Sequence, residues 1–266
     1  MDDKTRTDKM LSRKEGGVGY VIFNNPERHN AVSLEMWAAT TDILESFRND
    51  ADVRVVVVTG AGGKAFVSGA DISKFESERS SADAVAHYNV TVAKANQTVA
   101  EFPKPTIAMI KGYCIGGGLG LALCCDMRIV SDNSKFGVPA AKLGLGYAYP
   151  GLKRLVDVVG PAFAKEIFYT GRQFDVAEAL AMGLINRAVP ADDLENYVKN
   201  YADTIAGNAP LTLKAVKFIV GETIKDESKR DLVLADKMVQ DCFASQDYIE
   251  GRTAFMEKRK PVFTGK

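Results

Sequence analysis

The sequence predicts an α/β fold, because short runs of β-branched residues alternate with longer segments of helical periodicity. Buried strands are expected where apolar residues are continuous, at 20–23, 53–59, 106–110 and 127–130. Helices are expected between them, at 33–49 and 82–100, where apolar residues recur three or four positions apart. Strands that alternate with helices are typical of a sheet covered by helices.

The first predicted helix begins at Ser33. Serine is a favoured residue at this position because its hydroxyl accepts a hydrogen bond from a free amide of the first turn. Glu35 follows within that turn, where a negative charge suits the helix dipole. The pattern therefore predicts that the Ser33 side chain caps this helix.

The second half of the chain is predicted to be mainly helical. After Pro150, Gly and Pro residues separate helical segments, and only 184–189 has an extended pattern. The amphipathic segments near the end would bury little core by themselves, so we expect them to pack on a partner subunit. The predicted organisation is a polar, flexible tail at 1–14, a core at 15–197 and a helical region at 198–266.

Composition narrows the classes of function. Thirty-four basic residues balance thirty-four acidic ones, which argues against a nucleic-acid-binding or membrane-surface protein. The four cysteines lack CxxC spacing and the two histidines are isolated, so neither a disulfide framework nor a metal site is expected. The polar start of the chain and its short apolar runs predict no signal peptide and no membrane span. We expect a cytoplasmic protein.

Three loop segments each follow a predicted strand. They are Asn24–Ala31, Lys64–Asp71 and Gly112–Gly120. A glycine run between a strand and a helix leaves backbone N–H groups free at the positive end of the helix, where a developing oxyanion can bind. For an isolated Gly-Gly-Gly run, a tight turn without any binding role is an equally good interpretation. It also lacks the lysine of a P-loop, which argues against a nucleotide phosphate site.

In combination, the motifs N-x-P-x-x-x-N-A, A-F-x-x-G-A-D and G-x-x-x-G-G-G resemble the enoyl-CoA hydratase (crotonase) superfamily. The resemblance runs from about residue 18 to residue 263. It implies a crotonase-type spiral of β-β-α units with a C-terminal helical trimerisation region, assembled as a homotrimer or a dimer of trimers. It also implies an acyl-CoA substrate, with coenzyme A as part of the substrate and no prosthetic group.

The resemblance also implies the site. The amides of Ala70 and Gly117 together hold the thioester oxygen. Arg28 or His29 lies where relatives place a basic phosphate contact, and Ser68, through its backbone, and Asp71 belong to the coenzyme A segment. For Asp71, a role in supporting the loop is the stronger alternative. Phe263 resembles an aromatic residue that covers the adenine from a neighbouring helix or subunit, and a core position is the alternative.

The sequence departs from the family at the two glutamates that activate water in hydratases, because Gly120 and Ala140 occupy those positions. Neither residue transfers protons, and general acid–base help contributes about 10²–10⁴-fold. Efficient hydration is therefore not expected. Lyase, isomerase, decarboxylase and hydrolase chemistry all stay open, since the two amides still stabilise an enolate.

Tyr147 is the remaining polar candidate for the reaction. It falls where the methylmalonyl-CoA decarboxylase branch carries a tyrosine that orients the departing carboxylate, which makes loss of CO₂ from a malonyl-type thioester an alternative reaction. A tyrosine packed on its own loop is the structural alternative. Glu76 and Glu78 are interpreted as solvated charges. A non-catalytic, CoA-binding assembly protein is the alternative of another class.

Overall fold

A six-stranded sheet and a smaller three-stranded sheet form the frame of the protein. The structure, a computed structural model, describes residues 7–74, 78 and 80–266. In chain order the strands are β1 Met10–Glu15, β2 Val18–Phe23, β3 Val55–Gly60, β4 Ala65–Val67, β5 Thr106–Ile110, β6 Tyr113–Ile115, β7 Met127–Ser131, β8 Lys135–Gly137 and β9 Arg187–Val189. The helices among the described residues include α1 Leu34–Asn49, α2 Ala82–Ala100, α3 Gly117–Ala122, α4 Tyr149–Thr170, α5 Val176–Ala181, α6 Leu194–Ala206, α7 Pro210–Thr223, α8 Leu232–Ala244 and α9 Gln246–Glu257.

Repeated β-β-α units build both sheets. The larger sheet has the order β1-β2-β3-β5-β7-β9 and the smaller one the order β4-β6-β8. The first unit, β1, β2 and α1, gives both strands to the large sheet, whereas later units give one strand to each sheet and then a helix, as in β3, β4 and α2, or β5, β6 and α3. Apart from the antiparallel pair β1 and β2, neighbouring strands run parallel. The predicted α/β class and spiral of β-β-α units are confirmed.

Helices cover both faces of the large sheet, because alternate side chains of a strand point to opposite faces. In β3, Val56 and Val58 join the main core, which includes Trp37 of α1. Val55 and Val57 point the other way and pack with α6. The predicted boundary at 197/198 therefore needs correction: it falls inside α6, and the helical extension begins only after that helix.

The N-terminal tail also needs correction. Residues 10–14, predicted to be flexible, belong to β1, which pairs antiparallel with β2 from Met10 opposite Phe23 to Glu15 opposite Val18. Most side chains of β1 are polar, but Met10 is completely buried and anchors the strand in the apolar core. A strand at the edge of a sheet can carry many polar side chains because one of its faces is solvated. The charged residues of β1 therefore looked like a tail rather than a strand.

The helix α1 begins after Ser33, as predicted, but the Ser33 side chain makes no capping hydrogen bond. Instead the Leu34 amide donates to Glu78 Oε1 at 3.0 Å. A carboxylate at this position satisfies a free amide and is favoured by the helix dipole. Glu78 is thus a cap rather than a solvated charge, and Glu76 lies outside the described residues.

The last three helices extend from the core and are anchored by Lys217 of α7. Its Nζ donates to Asp126 Oδ2 at 2.8 Å and to the Lys104 carbonyl at 2.9 Å. The same Asp126 oxygen accepts from the Thr106 amide at the start of β5. One carboxylate therefore joins the sheet to the helical extension. Over the part of the chain that the structure describes, no helix is both long and apolar enough to cross a membrane.

Candidate active site

The first motif loop is held by a buried asparagine. Asn30 has a φ of 55°, in the left-handed region that asparagine tolerates better than most residues. Its Nδ2 donates to the carbonyls of Ala61 (2.9 Å) and Ala65 (2.7 Å), and its Oδ1 accepts from the Asn25 amide at 2.8 Å. The asparagine of the motif therefore ties the loop after β2 to the start of β4.

The Ala70 amide takes no part in the contact between these two loops. Val32 donates to the Gly69 carbonyl at 2.9 Å and accepts from the Asp71 amide at 3.0 Å, forming a parallel bridge with Ala70. In such a bridge both polar groups of the middle residue point away from the partner. The Ala70 N–H is thus directed away from Val32.

The second candidate amide belongs to Gly117, the first residue of α3. Gly116 precedes it with φ 57° and ψ −118°, and the Gly116 amide donates to the Gly137 carbonyl at 2.8 Å. First-turn amides have no partner inside a helix. Neither the Ala70 nor the Gly117 amide donates a hydrogen bond to any described residue.

The two loops that carry these amides lie against each other. A Cβ atom built on Gly69 would be 3.4 Å from the Ile115 carbonyl and 3.9 Å from the Gly117 nitrogen. The side chain of Trp37 packs against Gly117, with its Cζ2 3.8 Å from the position that a Cβ on that glycine would occupy. The geometry therefore suits an oxyanion hole made of two backbone amides. Trp37 lacked a sequence signal, because its contact with α3 depends on the fold.

Four of the residues predicted to contact coenzyme A lie beside Ala70, and Phe263 does not. Arg28 Nη1 donates to Ser73 Oγ at 2.7 Å and lies 3.6 Å from Asp71 Oδ1. The Ser68 amide donates to the His29 carbonyl at 3.2 Å. Contact with coenzyme A stays a prediction for each of these residues, namely Arg28, His29, Ser68 and Asp71.

Asp71 itself supports the loop. It is 4% exposed, and its Oδ1 accepts from both the amide (3.0 Å) and the hydroxyl (2.7 Å) of Ser73. Tyr113 is a neighbour that the sequence did not indicate, and its ring packs edge-on against His29 with centroids 6.1 Å apart.

Phe263 lies at the other end of the large sheet. Its carbonyl accepts from Arg54 Nη2 at 2.7 Å, and Arg54 directly precedes β3. Six residues of strand separate that end from the loops of the site, a distance of roughly 17 Å at the usual rise per residue. The backbone of Phe263 therefore lies at the end of β3 opposite the loop of Ala70 in the same chain. Coverage from a neighbouring subunit stays a prediction.

Small residues occupy the two positions at which the sequence resemblance places the hydratase glutamates. Gly120 is partly exposed and faces open space, with nothing within 4 Å of a Cβ built there. Ala140 is 4% exposed, in the short 3-10 helix Pro139–Leu143. These two residues supply no proton donor or acceptor.

Tyr147 lies between this region and α4. Its ring packs edge-on against Phe168 with centroids 4.9 Å apart, while 36% of the residue remains exposed. Burial raises the pKa of Tyr147 above its ordinary value, and nearby Tyr88 raises it further. Tyr147 therefore stays protonated at neutral pH and acts as a hydrogen-bond donor rather than a base.

The cysteines do not supply a nucleophile. Burial raises the pKa of Cys124 to about 11 and raises the pKa values of Cys114 and Cys125 as well. A thiol reacts as its thiolate, which these shifts make rare at neutral pH. In the described ranges, no three His, Cys, Asp or Glu side chains group as a metal site would require.

Comparisons with known proteins point in one direction. Residues 13–266 match the family model described as enoyl-CoA hydratase/isomerase. The chain is 33% identical to a short-chain-enoyl-CoA hydratase of Clostridium acetobutylicum, covering 95% of this chain and 96% of that protein. It is also 33% identical to a crotonyl-CoA hydratase of Syntrophomonas wolfei, covering 97% and 99%. The crystal structure of an enoyl-CoA hydratase/carnithine racemase from Magnetospirillum magneticum superposes with a TM-score of 0.91 at 38% identity, covering 98% and 97%.

Two glycines of α3 provide a matched test of the site's architecture. A Cβ on Gly118 would lie 2.0 Å from the Val67 carbonyl, whereas a Cβ on Gly120 would meet nothing. We expect Gly118→Ala to lower the free energy of unfolding by about 2 kcal/mol or more, since α3 and β4 must separate. Gly120→Ala should be neutral or stabilising by up to about 1 kcal/mol. Urea denaturation measures both, and equal stability of the two variants would contradict the close approach of α3 and β4.

Proposed function

The chain belongs to the enoyl-CoA hydratase/isomerase family, and we propose that it is an enzyme that stabilises the enolate of an acyl-CoA thioester. The amides of Ala70 and Gly117 would hold the thioester oxygen. The observation that carries this proposal is a pair of amides on adjoining loops that have no partner among the described residues. As the α-carbon gains electron density, negative charge accumulates on that oxygen, and fixed donors stabilise it without reorganisation.

Coenzyme A binding is proposed for the cluster beside the hole. Arg28 is exposed enough to meet a phosphate, with 55% of its side chain accessible. The His29 ring lies beside it and is held by Tyr113. Ser68 would contribute through its backbone. Asp71 would act indirectly, because its carboxylate is already engaged with Ser73 and Arg28.

Proton transfer separates this chain from a hydratase that uses two glutamates. Gly120 and Ala140 cannot activate water, and the loss of general acid–base help costs about 10²–10⁴-fold. We therefore propose that hydration of crotonyl-CoA is slow. The named hydratases among its relatives make that reaction the first one to assay.

A malonyl-type decarboxylase is a second candidate, favoured by Tyr147. In this reaction the bond between the α-carbon and the carboxylate breaks, its electron pair forms the enolate, CO₂ leaves, and the α-carbon later takes a proton from solvent. The enzyme needs no base for the first step, in accord with Gly120 and Ala140. A protonated Tyr147 would donate to the carboxylate and orient it before the bond breaks. Thioester hydrolysis assisted by Tyr147 is a variant of this candidate.

A homotrimer or dimer of trimers is the proposed assembly. Large apolar side chains on the helical extension are exposed, including Val233 (83%), Phe255 (83%) and Met256 (80%). Such side chains are buried when helices pack against another subunit. The cytoplasm is the proposed compartment, because its reducing conditions suit the four free thiols.

Removal of one amide tests the enzymatic proposal. Gly117→Pro deletes the N–H at the first position of a helix, where proline is otherwise tolerated. We expect kcat to fall by about 10²–10³-fold on whichever of crotonyl-CoA and methylmalonyl-CoA the wild type converts. Gly117→Ala keeps the amide and has room for the methyl group, so it is the matched control and should lose far less.

If Gly117→Pro converts the thioester as fast as the wild type, the amide is not catalytic. A wild type that binds acyl-CoA tightly but converts neither substrate would instead support a non-catalytic, CoA-binding assembly protein.

Tyr147→Phe tests the decarboxylase candidate, since it removes the hydroxyl and keeps the ring. A hydrogen bond to a charged group is worth about 1.5–3 kcal/mol, so release of CO₂ from methylmalonyl-CoA should slow by roughly 10- to 100-fold. Because the pKa of Tyr147 is raised, wild-type kcat should hold up to about pH 10 and fall only above it. Unchanged CO₂ release by the variant would eliminate Tyr147 from the reaction.

A further inference from the structure

Arg128 is a buried cation that the proposed chemistry does not use. It is the second residue of β7 and is only 6% exposed. Its Nε donates to the Leu184 carbonyl at 2.7 Å, and its Nη1 donates to the carbonyls of Cys125 (3.0 Å) and Ala122 (3.3 Å). These acceptors are neutral, so they satisfy the guanidinium without cancelling its charge. Among the residues that the structure describes, none forms an ion pair with Arg128.

The groups around Arg128 leave its charge in place. Burial lowers the pKa of Arg128, but an arginine stays protonated at neutral pH. The titratable side chains that act on it are three thiols and one carboxylate, namely Cys114, Cys124, Cys125 and Asp126. Burial raises the pKa values of the thiols, which are therefore neutral, and Asp126 is paired with Lys217 at 2.8 Å. A net positive charge thus lies inside the core.

This charge lies at the opposite end of α3 from the Gly117 amide. Ala122, which accepts from Arg128, is the last residue of α3, and Gly117 is the first. Five helical steps of about 1.5 Å separate them, so the guanidinium lies on the order of 10–15 Å from the oxygen that the two amides would hold. Between the two ends, Leu119 and Leu121 are buried in the main core. A charge in such surroundings acts over a longer range than one exposed to water.

We propose that Arg128 stabilises the enolate through space, as a buried positive charge behind the oxyanion hole. This inference rests on the proposed function, because Ala70 and Gly117 must first hold the thioester oxygen. That oxygen is neutral in the substrate and negative in the enolate, so a fixed positive charge favours the enolate selectively. At this separation and an effective dielectric constant of about 20, Coulomb's law gives roughly a tenfold effect on enolate formation.

Ionisation of bound acetoacetyl-CoA tests the proposal, whichever reaction the enzyme catalyses. The α-carbon of this thioester loses a proton to give an enolate that absorbs in the near ultraviolet, so a pH titration of the complex reports the pKa of the bound thioester. We expect the wild type to lower this pKa below that of free acetoacetyl-CoA. In Arg128→Met the ionisation constant should be about tenfold smaller than in the wild type. Arg128→Gln is a second neutral variant if Arg128→Met does not fold.

Arg187→Met is the matched control, because it removes a positive charge from an exposed position next to Asn186, whose side chain accepts from the Arg128 amide. It should ionise bound acetoacetyl-CoA as the wild type does. A double-mutant cycle with Gly117→Pro separates the charge of Arg128 from its structural role at the end of α3. A charge still acts when the Gly117 amide is gone, so the two losses should multiply. A residue that only positioned this amide would have no effect in the Gly117→Pro background.

Two results would overturn the proposal: wild-type ionisation in a neutral variant of Arg128, or an Arg128 effect that disappears in Gly117→Pro. In either case, weaker ionisation in Gly117→Pro than in the wild type would leave the proposed function intact. A wild type that binds acetoacetyl-CoA without lowering its pKa, or that binds neither this thioester nor coenzyme A, would instead refute the proposed function.

Discussion

The backbone of α3 packs directly on the backbone of β4, and the candidate site depends on this contact. Any side chain at Gly118 would collide with β4, because its Cβ would lie only 2.0 Å from the Val67 carbonyl oxygen. Because the helix can approach so closely, its first amide lies beside the loop that carries Ala70. Asn30 fixes the other side, since its amide group bonds the start of β4 at Ala65. Two rigid elements thus present two N–H groups to one space.

The same architecture separates binding from proton transfer. Both proposed donors are backbone groups, so the hole does not depend on side-chain identity and persists when the acid–base residues change. Under the proposed function, Gly120 and Ala140 would leave the polarising part of the site intact and would not supply the part that activates water. Chemistry that forms an enolate by another route, or that uses groups of the substrate, suits the remaining residues.

Local patterns were sufficient to predict β2, β3, β5, β7 and β9 of the large sheet, α1, α2 and the three loops of the site. Each of these depends on neighbouring residues, as with the continuous valines of β3 or the glycine run before α3. What the sequence did not indicate depends on residues far apart in the chain. Glu78 caps α1 across 44 positions, Trp37 supports Gly117, and Phe263 lies at the amino end of β3. The edge strand β1 was missed because its polar face hid a single anchor, Met10.

The central claim is that the two amides polarise a thioester carbonyl, and the vibration of that bond reports it directly. Isotope-edited infrared spectroscopy of butyryl-CoA, labelled with ¹³C at the carbonyl, compares the bound thioester with the free one. Two donors on the oxygen weaken the carbonyl bond, so the stretch should move to lower frequency in the wild type and move less in Gly117→Pro. A bound carbonyl that vibrates at the same frequency as in water would contradict the account.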